Sequence, residues 1–309
     1  MNKVVSLSFS CFFILVSLGC GDKDGFKKDP IEIDFLEKKE TELLKNTNNS
    51  YDEFNVAISA ITSPRISLIY YEDLISLISK KIKRPFKITQ RKTYREVNEM
   101  LRKHQVDMAF ICSGAYVVEK KISDLEILAV PLSNGKPFYQ AFIIVNVNSS
   151  IEKFEDLKGK SFAFTDPLSN TGRFYAIKRI KEMHLNADNF FSKIIYSNAH
   201  DNSMQLVSKN VIDGATVDGL IYNYIEKFSP EGTAHLKIIE KSEEFGIPPI
   251  VVPKNLDTDL KKELKSILLS LHKDPRGKEI LDKLLIDKFV EGQDANYNSI
   301  RDIEKLIKE

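Results

Sequence analysis

From Phe54 onward the chain alternates between short apolar runs and stretches whose apolar residues recur at helical spacing. Phe54 to Ser59, with Val56 and Ile58 apolar, predicts a strand, and Leu74, Ile75, Ile78 and Ile82 predict the helix that follows the Thr62-Ser63-Pro64 turn. Phe86 to Thr89 is the next strand. Thr93 is placed to cap a helix with Val97, Met100 and Leu101 on one face, and Met108 to Cys112 reads as a buried strand running into Ser113-Gly114. Tyr139 to Val147 is an unusually long apolar strand. The alternation then restarts with the strand Phe162 to Phe164, a helix after Thr171, the strand Ile194 to Tyr196, a helix after His200 and the strand Ala215 to Val217. Pro248-Pro249 breaks the chain before the apolar run Ile250 to Val252. Helices are expected over 256–271, 276–285 and 300–307. Strand and helix in alternation predict an α/β protein of parallel, doubly wound sheets, with ligand chemistry at the strand carboxyl ends. Two such units suggest two lobes joined by a hinge, residues 53–140 and 245–309 forming the first and residues 141–244 inserted as the second.

Ahead of these lobes the pattern is different. Lys3 precedes the apolar run Val4 to Leu18, which is too short to span a bilayer and reads as the core of a signal peptide over residues 1–19. It ends in Ser17-Leu18-Gly19-Cys20-Gly21, which resembles the lipobox of bacterial lipoproteins, with Ser17 where leucine is usual. That resemblance implies that Cys20 is lipidated and that an exported protein is held to a bacterial membrane by this anchor only. Residues 20–52 are polar and read as a tether, in which Ile31 to Leu44 could form a short helix. The cysteine count fits, since Cys11 leaves with the signal and Cys20 carries lipid. Cys112 then has no partner for an internal disulfide, and the fold must be held by its core. Net charge is +1, which points to neither nucleic acid nor a strongly anionic surface as partner. No metal-ligand spacing is present and no cofactor is expected.

The richest chemistry lies in Phe162-Ala-Phe-Thr-Asp-Pro-Leu-Ser-Asn-Thr-Gly-Arg173. A strand runs into Asp166-Pro167, and Phe174, Ile177 and Ile180 then follow at helical spacing. Ser169, Asn170 and Thr171 therefore stand at a helix N-terminus, where unpaired backbone N–H groups, the macrodipole and polar side chains together suit an anion. An ordinary capped helix is the plainer reading of the same residues.

Further segments join this one in order: Tyr70-Tyr71-Glu72-Asp73-Leu74, Arg84-Pro85-Phe86, Val106-Asp107-Met108-Ala109-Phe110 with Tyr116, Asp166 to Gly172, His200-Asp201-Asn202-Ser203, and Val211-Ile212-Asp213-Gly214-Ala215. Together they resemble the phosphate/phosphite/phosphonate-binding proteins of ABC importers, over about Phe54 to Leu271. The resemblance implies a type II periplasmic binding fold whose two lobes close on a small oxyanion and then dock on a membrane permease served by an ATPase. It places the oxyanion motif on Ser169, Asn170 and Thr171, with an amide at Asn170 where many members carry a third hydroxyl. It brings His200 to a second anion-facing helix start, with Asp201 capping that helix or orienting the imidazole. Asp218 becomes a carboxylate in the site, or else only a helix cap. Tyr71 and Tyr116 become aromatic neighbours of the ligand, and Ser113 a further donor. Phosphate, phosphite and alkylphosphonates all stay open as ligands. A monomer is expected. A sensor of the same fold, serving a membrane signalling partner, is the competing role. An enzyme is disfavoured, since no nucleophile elbow or phosphate-binding glycine loop appears.

The anchor reading is directly testable. Wild-type protein should label with radioactive palmitate and partition into detergent, and Cys20→Ala should lose the label. Unlabelled wild-type protein would remove the lipid anchor while leaving export intact.

Overall fold

A computed structural model describes residues 31–32 and 53–308. The signal-peptide reading, Cys20 and most of the tether lie outside the described residues. Of the short helix considered over 31–44, only Ile31–Glu32 is described, and it is a strand pairing parallel to Lys193–Tyr196.

Two six-stranded sheets form the two lobes. In the first, Phe54–Ser59 lies parallel to Phe86–Arg91 on one side and to Met108–Phe110 on the other. Ile250–Pro253, Leu125–Leu132 and Lys288–Val290 complete it, in that order. In the second, Ser161–Phe164 lies parallel to both Lys193–Tyr196 and Gly214–Asp218, and Ala141–Asn146 and Leu236–Lys241 follow. The Val56, Ala57 and Ile58 run and the Ile143, Ile144 and Val145 run are wholly buried, as expected of strands covered on both faces.

The sheets are not purely parallel, and this corrects the expectation from the sequence. Ile250–Pro253 runs antiparallel to Met108–Phe110, and Ala141–Asn146 runs antiparallel to Gly214–Asp218. The register supplies the reason. Ala141 pairs with Asp218 and Ile250 with Phe110, so each of these strands begins beside the carboxyl end of its neighbour. Chain entering a lobe from the hinge arrives at the cleft, where the parallel strands end, and can only run away from it.

The hinge interrupts the long apolar strand expected over 139–147. Phe138–Tyr139 leaves the first sheet and pairs antiparallel with Phe245–Gly246 in a two-stranded ribbon, and the second sheet begins at Ala141. Gln140 sits between the two, and its carbonyl accepts from the Gly219 N–H at 2.9 Å. The strands Leu125–Leu132, Leu236–Lys241 and Lys288–Val290 were not anticipated; they are half-buried or edge strands with mixed polarity.

The lobes are closed on one another. The Tyr94 N–H donates to Asp166 Oδ2 at 3.0 Å, the Ser63 N–H to Asp201 Oδ1 at 2.8 Å, and the His200 N–H to the Ile61 carbonyl at 3.1 Å, each bond crossing from lobe to lobe. The C-terminal helix Asn298–Leu306 packs against both Ser113–Lys120 of the first lobe and Tyr175–Glu182 of the second. At the tightest point Gly114 faces the second lobe. A Cβ there would stand 2.4 Å from the Leu168 carbonyl oxygen and 2.8 Å from the Asn170 nitrogen, both backbone atoms that cannot swing aside.

Gly114→Ala should therefore oppose closure while leaving each lobe's own core intact. Small-angle scattering is expected to show a larger radius of gyration than wild type. A variant as compact as wild type would mean that the two backbones can separate locally without opening the cleft.

Candidate functional site

The strand Ser161–Phe164 ends at the cleft, and Asp166 shapes the turn after it by accepting from the Leu168 N–H at 2.7 Å. Ser169 is the N-cap of the following helix, its Oγ accepting from the Gly172 N–H at 2.9 Å. The first turn is wide: the Phe174 N–H reaches back to the Ser169 carbonyl, five residues away. Gly172 permits this, because a Cβ there would lie only 1.7 Å from Thr165 Oγ1. The plain cap reading and the anion reading thus divide the motif. Ser169 serves the cap, whereas the Thr171 hydroxyl is fully buried and has no protein partner. Asn170 Nδ2 lies 3.3 Å from the Tyr139 hydroxyl, and its Oδ1 has no partner. Exchanging the two amide atoms is isosteric. It lets Tyr139 donate to Oδ1 and frees Nδ2 as a donor beside Thr171.

His200 begins the helix His200–Ser208 and is fully buried. Its Nδ1 accepts from the Asp218 N–H at 3.0 Å, so the ring proton must sit on Nε2. That Nε2–H is buried and has no protein acceptor. Desolvation holds the imidazole neutral, lowering its pKa to about 3. Asp201 does not orient the ring, since it accepts from Ser63 across the lobe interface. Asp218 caps the helix Gly219–Phe228, accepting from the Leu220 N–H at 2.7 Å, and it also lines the cleft. Burial raises its carboxyl pKa to about 7, so near neutrality it sits at the edge between acid and carboxylate.

The first lobe contributes aromatic and small groups opposite. Tyr71 lines the cleft against Phe110, ring centroids 4.7 Å apart, and burial together with Asp218 pushes its hydroxyl to about 12. Three further members are not legible as site residues in the sequence. Tyr94 is fully buried with its hydroxyl beside Ser169, and no protein group meets that hydroxyl at hydrogen-bond geometry. Tyr139 reaches Asn170 from the hinge. The Cys112 thiol lies 4.0 Å from Ser169 Oγ and is pushed up by burial. Ser113 is close by, but its hydroxyl donates to the Gly246 carbonyl at 2.6 Å and so fastens the hinge. Tyr116 does not join the group. Its hydroxyl donates to Asp294 Oδ1 at 2.5 Å and its ring packs on Tyr297, 4.8 Å away, so it ties the first lobe to the C-terminal segment.

The cluster is thus an array of neutral donors and helix starts around one carboxyl group. Among the described residues no lysine or arginine perturbs His200 or Asp218, and no group of side chains has the makings of a metal site. Such an array suits a small oxyanion, as backbone N–H groups, hydroxyls and a ring N–H can replace its hydration.

Residues 56–297 match the family model described as the periplasmic phosphonate substrate-binding protein of ABC transporters. The chain belongs to that family. It is 25% identical over 225 residues to the phosphonates-binding periplasmic protein of Escherichia coli, covering 70% of this chain and 65% of that protein. To the phosphate-import protein PhnD of Mycolicibacterium smegmatis it is 24% identical over 243 residues, covering 75% and 68%. The chain thus spans about two thirds of the length of these relatives. Among solved structures it resembles a binding protein component of an ABC phosphonate transporter from Pseudomonas aeruginosa, with TM-score 0.78, 23% identity, and 82% and 86% of the two chains covered. It also resembles PhnD1 of Prochlorococcus marinus, solved in complex with methylphosphonate, with TM-score 0.76, 18% identity, and 82% and 98% covered. These likenesses give the fold, a type II periplasmic binding fold of two lobes. The family's role is binding rather than catalysis.

In this member of the family, His200 and Asp218 titrate in opposite senses. The Asp218 carboxyl shifts from 3.8 up to about 7 on folding, so its contribution to stability is lost as pH rises through that range. The His200 ring shifts from 6.5 down to about 3, so its contribution is lost as pH falls through that range. Between about pH 4 and 6.5 the folded pair holds one proton, on Asp218, and the unfolded pair also holds one, on His200. The two slopes cancel. Asp218→Asn should therefore make unfolding free energy rise more steeply with pH than in wild type, and His200→Gln should make it fall, each by up to about 1.4 kcal/mol per pH unit. Chemical denaturation across this range checks both signs. Variants with wild-type slopes would mean that neither group is titrating as its burial demands.

Proposed function

We propose that this chain is the extracytoplasmic capture component of an importer. It holds a phosphate, phosphite or phosphonate group between its lobes and delivers it to an ABC permease and its ATPase, tethered to the membrane through Cys20. The observation that carries the ligand reading is the pairing of buried, unmatched donors with one poised carboxyl. Thr171 Oγ1 and His200 Nε2 have no protein partner, and Asp218 lies next to His200 with its pKa near 7. The donors fit oxyanion oxygens. The carboxyl group fits an anion that can carry a proton.

The proton explains how the site distinguishes phosphoryl groups from sulfate. A phosphoryl dianion can accept from protonated Asp218, and a monoanion can donate to ionised Asp218. Either arrangement keeps one proton between the two groups. Sulfate carries none near neutrality, so it fits only while Asp218 keeps its own, and ionised Asp218 repels it. The lead relatives are named for phosphonates and for phosphate, and the chemistry of this site accommodates both.

Titration calorimetry with phosphate, phosphite, methylphosphonate and sulfate at pH 6 and pH 8 tests the reading. Wild type should bind the phosphoryl ligands at both pH values, more weakly at pH 8, and should bind sulfate poorly, least of all at pH 8. Asp218→Asn should flatten the pH dependence and narrow the gap to sulfate. The phosphoryl ligands should lose affinity by about 2–5 kcal/mol, as for other buried charged contacts. Equal affinities for both proteins across all four ligands would reduce Asp218 to a helix cap, and no phosphoryl binding at all would end the proposal.

A further inference from the structure

The oxyanion cluster adjoins a chamber at Asp218, whose N–H donates to His200 and whose side chain lines that chamber. Ser169, Asn170, Thr171 and His200 are fully buried. Past Asp218, Ser59 and Tyr71 lies a chamber of about 650 Å³ between the lobes, and these three residues line its inner end. That volume falls within the roughly 300–1,000 Å³ of pockets that take whole organic ligands. It is far larger than a phosphate ion or a methyl substituent needs.

The walls of the chamber are more apolar than polar, with Thr62, Ser133, Asn134 and Asn223 among the polar lining residues. Ile61, Phe110, Pro248 and Pro249 line it from the first lobe, and Leu220 and Ile221 from the second. Leu220 and Ile221 are only partly buried, although they sit on a helix whose first turn is capped by Asp218 inside the site. Polar groups collect where the chamber widens to solvent, with exposed Lys227 on one lobe and exposed Asp282 and Asp287 on the other. Charges of both signs at that mouth select no particular charge on whatever extends to it. The apolar stretch between mouth and carboxyl is the selective part.

We infer that the chamber receives the organic substituent of the ligand, so the preferred cargo is a phosphoryl group bearing an elongated, mainly apolar chain, rather than bare phosphate, phosphite or methylphosphonate. This rests on the proposed oxyanion site at Thr171, His200 and Asp218. A carbon–phosphorus link and a phosphate monoester present the same phosphoryl end and the same tail to these residues. Apolar surface leaving water should raise affinity with each methylene until the tail reaches the mouth, on the order of four-fold for each one fully buried.

Calorimetry with methyl-, butyl- and hexylphosphonate, hexyl phosphate and hexanesulfonate tests the inference on the full chain. Affinity should climb from methyl to hexyl, and the stronger of hexylphosphonate and hexyl phosphate names the source of the phosphoryl group. Ile221→Trp should narrow the chamber beside Asp218, reducing the gain with chain length while leaving methylphosphonate binding unchanged. Ile221→Ala should lessen the gain by removing wall surface, and methylphosphonate binding again reports that the variant is folded. Methylphosphonate bound as tightly as hexylphosphonate would overturn the inference and leave the oxyanion reading standing. Hexanesulfonate bound as tightly as hexylphosphonate would also overturn it, since the tail would then be captured without the phosphoryl group. Failure of every phosphoryl ligand would remove the oxyanion reading and this inference with it.

Discussion

Donors buried between the lobes without a protein acceptor are the constraint on which the closed structure turns. An unsatisfied buried polar group costs about 1–3 kcal/mol. Thr171 Oγ1, His200 Nε2 and the Tyr94 hydroxyl each stand in that position. Closure on water-excluded but unmatched donors is therefore opposed, and an oxyanion that matches them reverses the balance. The rest of the fold serves this geometry. Parallel strands end at the cleft so that helix starts face it, and the entering strands run antiparallel because the hinge delivers chain to that same edge. Bonds such as Tyr94 N–H to Asp166 and Ser63 N–H to Asp201 then align the lobes without using the cleft's own donors.

Much of this was legible in the sequence because it is local. The apolar runs at Phe54 and Phe162 and the helical spacing of Phe174, Ile177 and Ile180 each report their own element, and the described strands and helices fall on them. The composition around Ser169 also announces a helix start, though not which residue caps it. Ser169 takes the cap because the wide first turn brings the Gly172 N–H to its hydroxyl, while the buried Thr171 hydroxyl is left without a protein partner. The parallel-sheet expectation failed at the two strands that enter a lobe from the hinge and at the edge strand Lys288–Val290, whose directions no local pattern encodes.

The illegible part is what the second lobe makes of the first. Tyr94 occupies the first turn of an ordinary amphipathic helix, and Tyr139 sits in an apolar run that reads as core. Nothing in either neighbourhood marks a hydroxyl aimed across an interface. Tyr116 shows the converse error. It lies one turn on from Ser113 on the same side of the helix, yet its ring packs on Tyr297 and its hydroxyl donates to Asp294. Asp201, read either as a cap of its helix or as a partner of His200, also accepts from Ser63, 138 residues away in sequence. Contacts of that range are set by the closing of two lobes.

That no lysine or arginine among the described residues perturbs His200 or Asp218 bears on release as much as on capture. A buried lysine or arginine would meet the anion with a large Coulombic gain, but both charges would need resolvation when the lobes part. Neutral donors exchange more evenly with water, since each bond lost to the ligand is replaced by one to solvent. Selectivity then depends on proton count and shape, and both features are present. Asp218 sits near the edge of ionisation at pH 7, and on the proposed reading the chamber beside it offers apolar wall to a substituent. Asn170 belongs to the same neutral set, its Nδ2 donating to the Tyr139 hydroxyl at 3.3 Å while its buried Oδ1 has no protein partner. The amide thus couples the helix that starts at Asn170 to the hinge strand Phe138–Tyr139.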